Sequence, residues 1–492
     1  MTRNRFLLTG VFLYLVLASA LSYTKRPWAD EAWFANVSWS MLHHGNTGIS
    51  VLDPRGNANM MGREFPQIDK HYYIWLPVQQ AVYAIWYKIV GFHLLSMRAF
   101  SVLWGLAALL AWFIIVGRLT LNPRAATLAV FLIGTDFAFL DASSDGRMDI
   151  MVAALSAGAL AAYLLLRERS LNAAVVVSQA LAMTAGLAHP MGAIGFISLL
   201  FITLSLDGRK SIRLRHVGLA VAVYLVGIAV AAAYFLPGLD LLRAQLGAAL
   251  TGRLGAANSL WSTLLREVTV KFRLFYLPPY ASGLAYSRVL IPVIYALGVA
   301  GLVSLRSVRS QPGYRTFFRL MLLAFLAIGA LDSGKLYYYL VYSTPFLAAA
   351  LALWVTGSVG RWRYAAVTAA AIVVALQLGW VATVVRRDPY HQSFLPMAQV
   401  IKSKIKPSSI VTSSAELGFA IGFEPPLVDD ALLGFASHKN PTLFVYEERS
   451  YGSHYSGFEK YRPEVAAHIN HLRDVEFRQI YTDGYYRVYE RK

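Results

Sequence analysis

The sequence predicts an α-helical polytopic membrane protein that carries a small soluble α/β domain at its C-terminal end. Three observations lead there. Of the 492 residues, 57% are hydrophobic and only 15% are charged, whereas a soluble domain is nearer a quarter charged; the mean hydropathy of +0.48 agrees. Apolar stretches approaching the roughly 20 residues of a membrane span recur eleven times. After Val385 the pattern turns to short β-type runs between turn signals. The same figures exclude a disordered, collagenous or coiled-coil chain. With no cysteine, a disulfide scaffold, thiolate metal sites and a cysteine nucleophile are excluded as well.

The predicted spans are 6–24, 98–117, 125–140, 149–166, 171–188, 191–206, 217–236, 289–305, 320–333, 336–357 and 364–384. They make a membrane part over 1–384. The first follows Arg3 and Arg5 and has the look of a signal anchor; with no convincing small-residue cleavage site, it is read as a span.

The net charge of +18 invites a nucleic-acid reading, and its distribution argues against one. Up to Val385 there are 31 Lys/Arg and 14 Asp/Glu; beyond it there are 14 and 13. The basic excess belongs to the membrane part, so no nucleic-acid partner is expected. Placing the N-terminus in the cytoplasm puts Arg118/Arg124, Arg167/Arg169, Arg209/Lys210/Arg213/Arg215, Arg306/Arg309/Arg315/Arg319 and Arg361/Arg363 on the inner side. Every short basic loop then obeys the positive-inside rule. An odd number of spans puts residues 385–492 outside. Twelve of the 14 acids before Val385 fall on that same outer side, at span ends or in two long loops, 25–97 and 237–288. Ionisable groups at a membrane face point to function, so the chemistry is expected on the outer face.

Within the first outer loop, residues 30–44 put Trp33, Phe34, Val37 and Met41 on one helical stripe, with Asp30 and Glu31 in the first turn and Gly45 as a stop. This predicts a short helix lying on the membrane surface. Residues 72–91 are apolar but interrupted by Pro77, Gln79, Gln80 and Lys88, which predicts an interfacial helix. The tail predicts strands at 409–412 and 442–446, a helix around 458–472, and a hairpin of 477–481 and 485–489 joined through Asp483-Gly484. It carries no catalytic motif, so support or acceptor recognition is its expected role.

Three sets of outer-face residues could carry chemistry. Asp30 and Glu31 could deprotonate an acceptor hydroxyl, although acids at a helix start also satisfy its free N–H groups. Asp141, Asp145, Arg147 and Asp149 cluster between two spans, with Asp149 beginning one of them. Arg63, Lys70, Lys335 and His189 could stabilise a phosphate. Lys335 sits between two apolar spans with Tyr337, Tyr338 and Tyr339 behind it; lysine and tyrosine also anchor helices at interfaces. Carboxylates and cations on one face suit a lipid phosphate that bears a sugar. Displacing that phosphate needs one base and electrostatic stabilisation of the leaving group, unlike the paired carboxylates of glycosidases.

These motifs, spread over about residues 1–360, resemble the GT-C fold integral-membrane glycosyltransferases, in the branch of protein O-mannosyltransferases and lipid A aminoarabinose transferases. Asp30-Glu31-Ala32-Trp33 resembles the family's Asp-Glu motif, whose Asp is taken as the catalytic base. Asp69-Lys70 with Tyr73, Trp75 and Pro77 resembles an acid-Lys segment that contacts phosphate. Arg147-Met148-Asp149 resembles the second-acid motif at the start of a span. Gly334-Lys335-Leu336-Tyr337-Tyr338-Tyr339 with Pro345 is similar to a segment associated with the carrier phosphate, and His189-Pro190 lies where relatives have Thr-Lys-Gly or Thr-His-Pro. Trp33 replaces the aminoarabinose branch's Arg, and His71 follows Lys70 in place of Pro.

The resemblance implies an inverting transferase that moves a hexosyl or pentosyl unit from a polyprenyl-phosphate donor to a hydroxyl or phosphate of lipid A, a glycan or a protein. It would work among membrane lipids at the outer face of a bacterial inner membrane. Asp30, Glu31 and Asp149 would be catalytic; Lys70, Lys335, Tyr339, Arg63 and His189 would bind the donor's phosphate or lipid. No cofactor is firmly implied; a divalent cation on Asp30, Glu31, Asp69 and Asp149 is open. The alternative is a transporter or flippase of a lipid-linked sugar. Transporters usually show repeats and polar residues at the midplane, whereas these acids gather at one face and no repeat is seen.

Overall fold

A computed structural model describes residues 2–56, 65–253, 260–278, 283–332, 334–448 and 450–492. Among them, nine helices are long and apolar enough to cross a membrane, a bent pair makes a tenth, and Pro190–Leu206 is a shorter apolar helix. Each of the eleven predicted spans corresponds to one of these.

The helices sort by what they touch. Tyr337–Gly357 is 83% buried and Asp149–Leu166 72% buried, so both lie inside the bundle. Asp149–Leu166 packs between Leu94–Thr120 and Leu171–Ala188; Thr344–Gly357 packs between Pro123–Thr135 and Leu290–Ser304. Small residues such as Ala348, Ala349, Ala350 and Ala352 are all fully buried, which lets backbones approach closely. Leu214–Ala249 is at the edge, only 6% buried, with Leu214, Val221, Leu225 and Ile228 exposed. In a bilayer that surface faces lipid and costs nothing to leave uncovered by protein.

The span predicted at 125–140 is broken. Pro123–Thr135 and Phe137–Ser143 meet at 65°, and Asp136 stands at the break. Its Oδ1 caps the second helix by accepting from the Phe139 N–H (3.0 Å). Its Oδ2 accepts from Tyr295 (2.7 Å) and Gln377 (2.8 Å). Gln377 also accepts from the Phe137 N–H (3.0 Å). The break therefore leaves these buried backbone groups paired, the condition for a non-helical turn at membrane depth. It also brings Asp141 and Asp145 to the end of the bundle that faces the tail domain.

The last span does not stop at the membrane. Arg361–Lys404 runs for 44 residues, far more than a bilayer needs, and leads directly into the tail. There a five-stranded sheet forms from β1 (Val411–Thr412), β2 (Leu427–Val428), β3 (Leu443–Glu447), β4 (Phe477–Thr482) and β5 (Tyr486–Arg491), in the order β2-β1-β3-β5-β4. β1 lies parallel to β2 and β3; β5 is antiparallel to β3 and β4. The predicted hairpin is present, its turn held by Asp483, which accepts from the N–H groups of Tyr485 and Tyr486 (both 2.7 Å). The predicted 458–472 helix is two helices, Tyr451–Tyr461 and Pro463–His471, separated where Pro463 begins the second.

The first loop helix, Ala29–His43, is more enclosed than a surface helix. Phe34 and Val37 are buried as the stripe predicts, but so are Asn36, Ser38 and Ser40 on other faces. The tail domain covers it. Trp33 Nε1 donates to Asp429 (2.9 Å), and Val51 and Asp53 pair with the Asp429 backbone (2.7 and 3.2 Å). Lys439 pairs with Asp53 (2.9 Å).

Candidate active site

Neighbours on an α-helix point about 100° apart, and Asp30 and Glu31 accordingly lead separate lives. Glu31 is fully buried. Its carboxylate accepts from Arg98 Nε (2.8 Å) and Nη2 (2.7 Å) and from the Gly146 N–H (3.0 Å). Arg98 also donates to the carbonyls of Ser22 (2.8 Å), Lys25 (2.6 Å) and Arg26 (3.2 Å). This pair fixes the end of the first span, the start of the Ala29 helix and the loop before Asp149 against one another. Glu31 does not line the cavity described below; its part is to position what does.

Asp30, from the same helical turn, is about one-third exposed and pairs with Arg147 Nη1. Arg147 Nε also donates to Asp149 (2.8 Å). One planar guanidinium thus bridges the two carboxylates, a geometry its fork suits. The guanidinium lies over the Tyr338 ring (3.7 Å) and beside that of Trp28 (5.3 Å). Nearby, Lys25 pairs with Asp141 (2.7 Å). Burial pushes the Asp145 carboxyl up to about 7, against the pull of Lys25.

These groups open into a cavity of about 620 Å³ between one end of the membrane helices and the tail domain. Asp30, Arg147 and Asp149 line it. Aromatic side chains, among them Trp28, Phe137, Tyr337, Tyr338 and Trp380, form much of its wall. Arg288 and Arg387 also line it. Arg288 lies over Trp380 (4.1 Å), and neither arginine pairs with an acid among the described residues. An aromatic cavity with uncompensated cations is ready for an anion.

The other predicted phosphate ligands are placed elsewhere. Lys335 is buried outside the cavity. Its Nζ donates to Glu267 (3.1 Å) and the Gly329 carbonyl (2.7 Å), while Lys271 pairs with the same Glu267 and with Asp332 (2.8 Å). Lys335 is therefore not the lone cation expected: Glu267, a carboxylate distant in sequence, pairs with it. Lys70 is exposed in the first loop and does not line the cavity. His189 caps a short turn by accepting from the Met191 N–H (3.1 Å) and lies 3.4 Å from the Tyr339 hydroxyl; neither residue lines the cavity. Arg63 lies outside the described residues.

Arg288, Arg387 and the tail residues Glu416, Glu447, Ser450, His454 and Tyr485 are cavity residues that sequence reasoning missed. For the arginines a signal existed: they are basic residues at the span ends opposite those where the short-loop arginines gather. As for a divalent cation, among the described residues no three His, Asp or Glu side chains come together as ligands. Of the four carboxylates Asp30, Glu31, Asp69 and Asp149, Asp30 and Asp149 share a guanidinium and Glu31 is taken by Arg98.

No protein-family model and no curated protein matches the sequence. Solved structures do match. ArnT from Cupriavidus metallidurans bound to undecaprenyl phosphate aligns with a TM-score of 0.57 at 16% identity, over 98% of this chain and 97% of that one. Its apo state aligns at 0.55, also at 16% identity, over 99% and 98%. Archaeal oligosaccharyltransferase AglB from Archaeoglobus fulgidus, in complex with an inhibitory peptide and a dolichol-phosphate, aligns at 0.50 and 15% identity, over 95% of this chain and 71% of that one. Across nearly its whole length, this chain is a membrane protein of the GT-C fold.

Proposed function

We propose that the protein is a glycosyltransferase that takes a sugar from a polyprenyl phosphate and passes it to an acceptor at the outer face of a bacterial inner membrane. The observation that carries the reading is one cavity holding an oriented carboxylate, Asp30, and two arginines, Arg288 and Arg387, with no acidic partner among the described residues. The fold it shares with a protein solved with undecaprenyl phosphate and another solved with a dolichol-phosphate supports it.

In this reading the donor phosphate sits at Arg288 and Arg387, with its prenyl chain leaving toward lipid. The acceptor oxygen approaches the anomeric carbon from the face opposite the phosphate. A carbon–oxygen bond to the acceptor forms as the bond to the phosphate breaks, which inverts the anomeric centre. The acceptor's proton passes to Asp30, and the electron pair leaves with the phosphate. Arg147 holds Asp30 in position. Arg288 and Arg387 stabilise the negative charge that grows on the leaving group. Residues 1–384 form the catalytic membrane module and 385–492 an extracytoplasmic domain, with the N-terminus cytoplasmic.

The test uses the full chain in lipid nanodiscs. Wild type should bind undecaprenyl phosphate, and Arg288→Ala with Arg387→Ala should weaken binding at least tenfold, each lost charge-assisted contact being worth about 1.5–3 kcal/mol. Asp30→Asn should bind it normally yet transfer about 10²–10⁴-fold more slowly. Normal transfer by folded Asp30→Asn would reject the reading.

A further inference from the structure

Two acids and two lysines are buried where the second long loop meets the end of the helix Pro312–Leu331, and no step of the proposed reaction uses them. Glu267 and Lys271, one helical turn apart, come from the loop; Asp332 and Lys335 follow the helix. Lys335 pairs with Glu267 (3.1 Å), and Lys271 pairs with both Asp332 (2.8 Å) and Glu267. Burying such pairs forfeits hydration that apolar packing of the same volume would never lose, so they are weak sources of stability. Their use lies in where they hold the chain.

What they hold is a reversal. Beyond the helix, Lys335 takes a left-handed backbone (φ +55°), which a residue with a Cβ keeps only when its surroundings impose it. Here they do. Besides Glu267, Lys335 Nζ engages the Gly329 carbonyl (2.7 Å), in the last turn of the helix, where backbone acceptors run out of intrahelical donors. Asp332 accepts from the Leu336 N–H (3.1 Å) and closes the loop. The turn that follows, Tyr337–Tyr342, carries Tyr338 into the cavity wall. There the Tyr338 ring lies against the guanidinium of Arg147 (3.7 Å), the group that bridges Asp30 and Asp149. Phe275, two turns beyond Glu267 on the same loop segment, lies nearly parallel to the Tyr337 ring (5.9 Å, 24°).

We propose that Lys335, held by Glu267, is a positioning residue for glycosyl transfer: it sets the reversal that seats Tyr338 on Arg147, and so fixes the direction of Asp30. A guanidinium bonded along one edge still swings about its side-chain bonds; a ring against its face removes that freedom. Lys335 thus acts through the turn it begins.

The inference rests on the glycosyltransferase reading and adds a residue to its machinery. Wild type, Lys335→Met, Lys335→Arg, Tyr338→Leu, the Lys335→Met/Tyr338→Leu double variant and Asp30→Asn would be expressed in a deletion strain at equal levels of folded protein. Transfer would be read by mass spectrometry of surface glycans, lipid A and secreted proteins, and undecaprenyl phosphate affinity on the purified full chains in nanodiscs. Lys335→Met should keep that affinity within about twofold and transfer about tenfold less or worse. Lys335→Arg, which keeps a charge for Glu267, should recover part of the loss. The double variant should transfer within about twofold of Tyr338→Leu alone, since both changes cut one chain of contacts. A fall in undecaprenyl phosphate affinity in Lys335→Met would make the lysine a phosphate ligand and overturn the inference. Full transfer per folded molecule would overturn it as well, as would losses that multiply in the double variant. If Lys335→Met does not fold, Glu267→Gln takes its place: it keeps an acceptor while removing the charge that Lys335 pairs with, and the same outcomes decide. Wild-type transfer by Asp30→Asn overturns the glycosyltransferase reading and this inference together; the other adverse outcomes overturn the inference alone.

Discussion

At the scale of single residues, Arg147 decides whether the two site carboxylates are a pair or a liability. It is buried and bridges Asp30 to Asp149. Arg147→Ala would leave Asp149 buried beside no cation, a loss of about 3–5 kcal/mol in comparable pairs. Arg147→Lys is the sharper probe. It keeps the charge but cannot span both carboxylates at once. We predict a folded protein whose transfer falls about 10²-fold or more, the cost of a misplaced reactive group. Transfer rates normalised to folded protein check this, and near-normal turnover would count against the bridge. Glu416 supplies a pH prediction. Its folded value, about 8, lies above the ordinary 4.5, so the folded state holds an extra proton between those limits. Its contribution to stability is full at the acid end and is lost as pH rises through that window. Thermal unfolding should shift downward from pH 5 to 8.5, and Glu416→Gln should flatten the trend.

How much of the site was legible follows from which partners are local. Asp30 and Asp149 were visible because helix-start acids at span ends stand out in an apolar sequence. Lys335 stood out for the same reason, but its pairing could not be seen. Its counter-ion, Glu267, lies 68 residues away in sequence, and no periodicity links the two. Glu31 looked equivalent to Asp30 for want of its partner Arg98, 67 residues on.

At the scale of elements, hydrophobic length read the helices well, since lipid imposes a minimum span that the sequence must honour. It could not read the 65° break at Asp136, because the groups that tolerate the break, Tyr295 and Gln377, sit on other helices. The two-residue strand β2 was equally invisible, being defined by its neighbours. The break yields a prediction. Gln377→Leu removes a donor to Asp136 and the acceptor of the Phe137 N–H, leaving two buried groups short of a partner. About 1–3 kcal/mol each is at stake. Thermal unfolding in detergent should show a clear loss, larger than for the exposed-face control Ile372→Ala. An equal or smaller loss would mean that water or rearrangement repairs the break.

At the scale of the whole molecule, the cavity belongs to no single part. Its walls come from the first loop, the broken helix, the 285–304 and 361–387 helices and the tail sheet. Asp429 is the fastening point: it accepts from Trp33 (2.9 Å), Tyr451 (2.7 Å) and the Ala415 N–H (3.1 Å). We predict that Asp429→Ala leaves the membrane helices intact while the tail becomes sensitive to a limiting protease. Transfer should fall in parallel. A tail as resistant as wild type would show that the other contacts suffice. Orientation is checked at this scale too. A C-terminal reporter should be active only as a periplasmic type, and cytoplasmic activity would invert the proposed arrangement.

The hydrogen bond from Trp33 to Asp429 joins residues 396 positions apart, and that span has a meaning in time. A ribosome adding about 5–20 residues per second needs about 20–80 s to travel from one to the other. For that interval the Ala29 helix, with Asp30 on it, is already made while the wall that closes over it is not. A nascent chain therefore holds the Asp30 carboxylate in an unfinished chamber until Asp429 and the strands around it have been made, so under the proposed function the catalytic base is exposed well before the site that uses it exists.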